Sequence, residues 1–177
     1  PQIGLIEFPG INKIISASFT WSAHGTAPSA CVVEITPQQV FPAMIGTMTF
    51  TYGNVKIPFP LCKLNTASFA RNAKGLVWSL QIIDRRWLWL EKTIDGIYNV
   101  RNGDESIDPF FEKTPRELAA LLLDAMGEFG YDVSALPSET RPVMKWDLAN
   151  AAQELEKLCD SFGCRPVMQL NGLVRIC

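Results

Sequence analysis

The sequence has 177 residues, enough for one full domain or two small ones built on a core of their own. Its composition, 47% hydrophobic and 19% charged, is that of a folded globule and excludes disorder, collagen and coiled coil. Sixteen basic against eighteen acidic residues leave a net charge of −2, which speaks against the cationic face that tight nucleic-acid binding needs.

The first ninety residues read as strands. Ile15, Ala17, Phe19 and Trp21 alternate with Ser16, Ser18 and Thr20, the period of a half-buried strand. After a turn-rich break over Ser22–Ser29, Cys31, Val33 and Ile35 repeat the alternation, and Met48, Phe50 and Tyr52 alternate with threonines. Gly53-Asn54 marks a turn into Val55-Lys56-Ile57, and Leu76–Ile83 is a further strand with Trp78, Leu80 and Ile82 on one face. Strands at this spacing, without helical patterns between them, predict an antiparallel sheet or barrel, read as a barrel-like domain over residues 1–92. The run Asp84–Lys92 is expected to be a strand apolar on both faces, Trp87 and Trp89 on one and Leu88 and Leu90 on the other. Such a strand must be covered on both faces, either by the fold wrapping it or by a partner, and these four residues are the candidate subunit interface.

Residues 93–113 read as a turn-rich acidic connector, with Asp95-Gly96 and Asn102-Gly103 as turn signals. The period then becomes helical. Thr114-Pro115-Arg116-Glu117 is a capping box with proline in the first turn. Leu118, Leu121, Leu122, Ala125 and Phe129 form one apolar stripe, and Gly130 is the expected stop. A short extended piece, Val143–Trp146, leads to a second helix expected from Asp147, with the stripe Leu148, Ala151, Leu155, Leu158 and Phe162. Asn171-Gly172 predicts a type I′ hairpin between Arg165–Leu170 and Leu173–Ile176. The fold class expected is α+β: the barrel-like domain, then a helix–strand–helix–hairpin domain over 114–177 that reads as incomplete.

Reactive constellations are scarce. The one histidine, His24, lies in a loop without a nucleophile elbow around it. Of five cysteines, Cys31, Cys62, Cys159, Cys164 and Cys177, none forms a C-x-x-C pair, and Cys159 and Cys164 are too awkwardly spaced for zinc. Their odd number fits core-filling thiols in a reducing cytoplasm rather than a disulfide framework. Asp104–Asp108 resembles a calcium loop, but Pro109 stands where glycine is required and Pro115 where a bidentate glutamate is required. Asp84, Glu91 and Asp95 carry no glycosidase signature, and Ala73-Lys74-Gly75 lacks the glycine spacing of a phosphate loop. Arg85-Arg86-Trp87-Leu88-Trp89 contains the groups that stack single-stranded bases, in a setting that is not basic. The expectation is no catalytic residue, no cofactor and no metal. Leu118–Leu123 is far shorter than the ~20 apolar residues of a membrane helix, and the opening Pro1–Glu7 is no signal peptide. Pro1 in place of Met, and the stop at Cys177 after a strand-like run, read as the ordered part of a longer polypeptide.

The order of elements resembles a known family. A β-domain runs into Trp78-Ser79-Leu80-Gln81-Ile82-Ile83-Asp84-Arg85-Arg86-Trp87. The helix opening Thr114-Pro115-Arg116-Glu117-Leu118 follows, then the piece ending at Trp146, the second helix and the hairpin Gly163–Ile176. This is similar to the tail hub proteins of tailed bacteriophages, which share a fold with the spike proteins of type VI secretion. The likeness is strongest over residues 76–177. It implies a non-enzymatic homotrimer in the tail tip or baseplate of a virion. The implied partners are the tail tube or distal tail protein, a spike or fibre, and the tape measure protein, with no membrane or nucleic acid. Hub proteins carry a second barrel after the insertion, which these residues do not supply. Two other readings are a receptor- or carbohydrate-binding module using Trp21 or Trp78 as exposed platforms, and a small hydrolase centred on His24.

Overall fold

The computed structural model describes residues 5–72 and 75–177, with the side chains of residues 66 and 68–72 left aside. Pro1–Gly4, and Ala73-Lys74 of the segment weighed as a phosphate loop, lie outside the described residues. The chain divides into two compact units: residues 1–22 and 27–87 form the first, residues 23–26 and 88–177 the second.

The first unit is one six-stranded sheet. Its strands are β1 (Leu5–Glu7), β2 (Ile14–Phe19), β3 (Ala30–Ile35), β4 (Ile45–Tyr52), β5 (Val55–Asn72) and β6 (Gly75–Ile83), in the spatial order β1-β4-β5-β6-β3-β2. Alternation places Cys31, Val33 and Ile35 of β3, Met48 of β4 and Leu80 and Ile82 of β6 in one core cluster with Ile6, Phe8, Phe59, Cys62 and Leu64. The sheet rolls over this core, since Phe19 on edge strand β2 reaches Phe59 of β5 at 5.2 Å and Phe50 of β4 at 6.1 Å between ring centroids. It does not close. The expected barrel is instead an open sheet, with β1 and β2 as its two edges.

β5 explains how proline enters a strand of this sheet. From Val55 to Cys62 it pairs only with β4, and it meets β6 only from Lys63 onward. Pro58 and Pro60 therefore fall where β5 has a single neighbour, the placement a strand proline needs. The missing N–H groups also blunt that open edge against stray pairing. The register shifts between Gly46 and Met48 of β4, and Leu61 on the facing stretch of β5 takes a left-handed φ of 55°.

The second unit holds α1 (Trp87–Leu90, beginning at the boundary), β7 (Thr93–Tyr98), α2 (Pro115–Ala125), β8 (Tyr131–Asp132), β9 (Met144–Asn150), α3 (Ala151–Ser161), β10 (Pro166–Met168) and β11 (Val174–Ile176). β7 and β9 form an antiparallel pair. β10 and β11 form a hairpin, and β8 joins β11 in parallel. The capping box is present as predicted: Thr114 Oγ1 accepts from the Glu117 N–H, and Glu117 Oε2 accepts from the Thr114 N–H at 2.7 Å. Leu118, Leu122, Leu123 and Met126 are buried on one side of α2, which packs against α3 with its buried Leu155, Leu158 and Cys159.

Several local expectations are corrected. Asp84–Lys92 is no strand but a turn followed by the single helical turn α1, in which the N–H groups of Glu91 and Lys92 donate to the carbonyls of Leu88 and Trp89. The acidic connector contains a strand, β7; Gly96 sits at its bulge, where a Cβ would stand 2.8 Å from the Tyr98 ring. α2 ends at Ala125, five residues before Gly130, because Gly127 takes the left-handed conformation at φ +82°. Phe129 therefore leaves the apolar stripe and is 93% exposed. Asp147–Asn150 belongs to β9, and Asn150 rather than Asp147 caps the second helix, accepting from the Gln153 N–H at 3.0 Å. Finally, Asn171 lacks the positive φ that type I′ demands, while Gly172 has φ 85° and its N–H donates to the Gln169 carbonyl. With the Gln169 N–H donating to Leu173, this is a three-residue loop ending in a glycine bulge.

Candidate functional site

The segment expected to form an interface begins with a buried charge cluster in the first unit. Arg86 is fully buried beside Asp84, its Nη2 donating to Asp84 Oδ2 at 2.7 Å, to Ser29 Oγ at 2.8 Å and to the Ser22 carbonyl at 2.8 Å. Asp84 Oδ2 also accepts from the Ser29 N–H, and Oδ1 from the Arg86 N–H. The guanidinium lies 5.1 Å from the Trp21 ring. A fully bonded pair of this kind ties together residues 22, 29, 84 and 86, which flank each point where the chain passes between units.

The four predicted interface residues follow at once, and they divide between the units. Trp87 is half-buried in the first, donating from Nε1 to the Leu61 carbonyl at 2.8 Å, with Lys63 Nζ 4.1 Å from its ring centroid. Trp89 is buried in the second and donates from Nε1 to Glu128 Oε1 at 2.8 Å. Leu88 is half-buried, and Leu90 is 49% exposed. Across the β9 end, Asn150 Nδ2 donates to the Leu90 carbonyl, and Leu148 projects 73% exposed from a backbone with φ 43°. A leucine in that conformation costs roughly 1–2 kcal/mol.

His24 is exposed at a shallow cleft of about 330 Å³, lined by Gly25, Glu156, Asp160, Arg165 and Pro166. Residues 23–26 lie along β10 as an added edge: Gly25 N–H donates to Pro166, Met168 N–H donates to Ala23, and His24 bridges Val167. Glu156 Oε1 accepts from both the N–H and the hydroxyl of Thr26, at 2.8 and 2.7 Å. Among the described residues no serine or cysteine lines the cleft, and the hydroxyl of Thr26, next to Gly25, donates to Glu156. This arrangement fastens a loop. Sequence reasoning missed it because the bond spans 130 residues and no local pattern marks it.

A second cleft, about 350 Å³ and mostly apolar, is lined by Ile97, Val100, Asn102, Asp108 and Phe111. Asn99 builds it. Buried in the left-handed conformation at φ 60°, it donates from Nδ2 to the carbonyls of Lys113 and Pro142 and accepts the Lys113 N–H. Asparagine tolerates that backbone better than other side chains, which holds the 99–113 loop in one shape. The supposed calcium carboxylates cap their own turn: Asp104 accepts from Ser106, which holds its carboxyl below the usual range, and Asp108 accepts the Phe110 N–H. Among the described residues no group of three or more His, Cys, Asp or Glu is placed to hold a metal, and no helix is long and apolar enough to cross a membrane.

The glycan-platform expectation for Trp21 and Trp78 meets a different setting. Both pack half-buried against the core of the first unit, Trp21 4.9 Å from Phe59 and Trp78 5.9 Å from Phe41.

No protein-family model and no curated protein sequence matches the chain. Solved structures do match it. The chain is similar to the prophage MuSo2 43 kDa tail protein from Shewanella oneidensis, with TM-score 0.61 and 13% identity over 99% of this chain and 53% of that one. It is also similar to the tail protein from Neisseria meningitidis MC58, with TM-score 0.55 and 12% identity over 92% of this chain and 45% of that one. The chain spans about half the length of these tail proteins and shares their fold.

Proposed function

We infer that the chain is a structural part of a phage-type tail, and specifically a hub at the tail tip or baseplate that joins the tube to a central spike or fibre. The observation that carries this reading is the fold likeness to two tail proteins over 92% and 99% of the chain. Open sheet edges, half-exposed Leu90, strained and exposed Leu148, and an open apolar cleft in the second unit all suit a subunit that is completed by neighbours. On this reading the protein is a homotrimer. Trp87, Leu88 and Leu90 belong to its contacts, and Trp89 holds the turn from beneath. It assembles in the host cytoplasm with a tail tube or distal tail protein, a spike or fibre, and the tape measure protein. The work is mechanical: to hold the tube end shut and release it on infection.

The test is electron cryomicroscopy of intact particles carrying this protein. Density for the chain at the tip, in three copies around the tail axis, is the expected result. Density in the capsid, along the tube wall or in a side fibre would reject the hub.

A further inference from the structure

The apolar cleft of the second unit has a marked electrostatic setting. The 99–113 loop carries four carboxylates (Asp104, Glu105, Asp108 and Glu112) against two cations, Arg101 and Lys113. Arg101 pairs with Glu105 at 3.7 Å, and Arg141, from outside the loop, pairs with Glu112 at 2.7 Å. Asp104 and Asp108 have no ion pair among the described residues, and Lys145 faces Ile97 across the β7–β9 ladder. The groove therefore suits an apolar group with a cation beside it.

The described residues contain a segment of that chemistry. At the tip of the β4–β5 hairpin, Tyr52 and Val55 face each other across the Gly53-Asn54 turn, 52% and 60% exposed. Exposed Lys56 follows, without a carboxylate partner among the described residues. A two-residue turn with glycine first, at φ 57°, keeps such a tip stiff, so little freedom is lost when it docks.

Building on the homotrimer reading above, we propose that the hairpin tip of one copy seats in this groove on a second copy. Tyr52 and Val55 pack on Ile97, Val100 and Phe111, and Lys56 faces Asp108. Two different patches meet, so the contact runs head to tail, the kind that closes into a ring.

The experiment is sedimentation of the full-length protein with four single variants and one double variant. Lys56→Glu and Asp108→Lys each weaken trimer association by ~10-fold, and the pair combined restores most of the loss, as a direct charge contact requires. Asp108→Asn keeps the acceptor that caps Phe110, so it separates loss of charge from loss of the loop, and it weakens association to a smaller extent. Tyr52→Ala weakens it without any charge change. A trimer indifferent to all of these changes overturns the contact and leaves the hub reading standing, the groove then being covered by a different tail component. A wild-type protein that is monomeric at every concentration overturns both.

Discussion

Arg86 is where burial, charge and backbone meet in the first unit. A guanidinium out of water is tolerable only because its donors are taken up by Asp84, Ser29 and Ser22. Arg86→Met leaves the Asp84 carboxylate buried without its partner, and urea denaturation is expected to show a loss of ~3–5 kcal/mol. Exchanging both residues for apolar ones of similar volume costs much less, so the comparison separates an unpaired charge from lost packing. The thiols supply a second residue-level expectation. Burial pushes Cys31 from 9.0 up to about 11, and Cys62 and Cys159 up to about 12. Native protein at pH 8 is expected to give up Cys164 and Cys177 to iodoacetamide first, and the other three only on unfolding. The same shifts set a pH window. Unfolded thiols ionise above about pH 9 while the folded ones keep their protons until about 11–12, so stability is unaffected below pH 9 and falls as pH rises through that interval. The urea midpoint should drop between pH 8 and pH 10, and less steeply in Cys62→Ala.

At the scale of elements, α2 shows what a short pattern determines. Its start is legible because the cap is a local device: Thr114→Ala removes the acceptor for the Glu117 N–H and is expected to cost about 1 kcal/mol in a thermal or urea melt. Its end was misplaced because two glycines, Gly127 and Gly130, compete for the role within one turn, and the apolar period runs through both. Gly127 wins with φ +82° and empty space around its missing side chain. Gly127→Ala should therefore cost ~1–2 kcal/mol from backbone strain alone. α3 fails the other way. Asp147-Leu148-Ala149-Asn150 reads equally well as the first turn of a helix, but Ala149 and Asn150 pair with Ile94 and Thr93 of β7, and that ladder holds the chain extended to the last possible residue. The Trp87–Leu90 turn was misread for a related reason: four consecutive apolar residues have no period, so neither strand nor helix is excluded by them.

For the whole molecule, the decisive property is what the chain leaves uncovered. Apolar side chains at the hairpin tip and groove, set beside charges of opposite sign, predict an association that salt weakens. Raising ionic strength from about 0.05 to 0.5 M should shift the full-length protein toward smaller species in sedimentation, because exposed charges are screened beyond a few ångströms at the higher salt. Association unchanged by salt would point to contacts built on hydrophobic burial, with Leu90 and Leu148 as the first residues to examine.

Alternation in β3, β4 and β6, the Gly53-Asn54 hairpin and the capping box all lie in stretches of a few residues, where side-chain period and backbone preference act without help. Those features the amino-acid order determined alone. The open edge between β1 and β2, the pairing of β7 with β9, the burial of Arg86 and the fastening of residues 23–26 along β10 were decided by tertiary structure. Each depends on partners tens of residues away, and which partner wins is set by the packing of a whole layer rather than by any local preference.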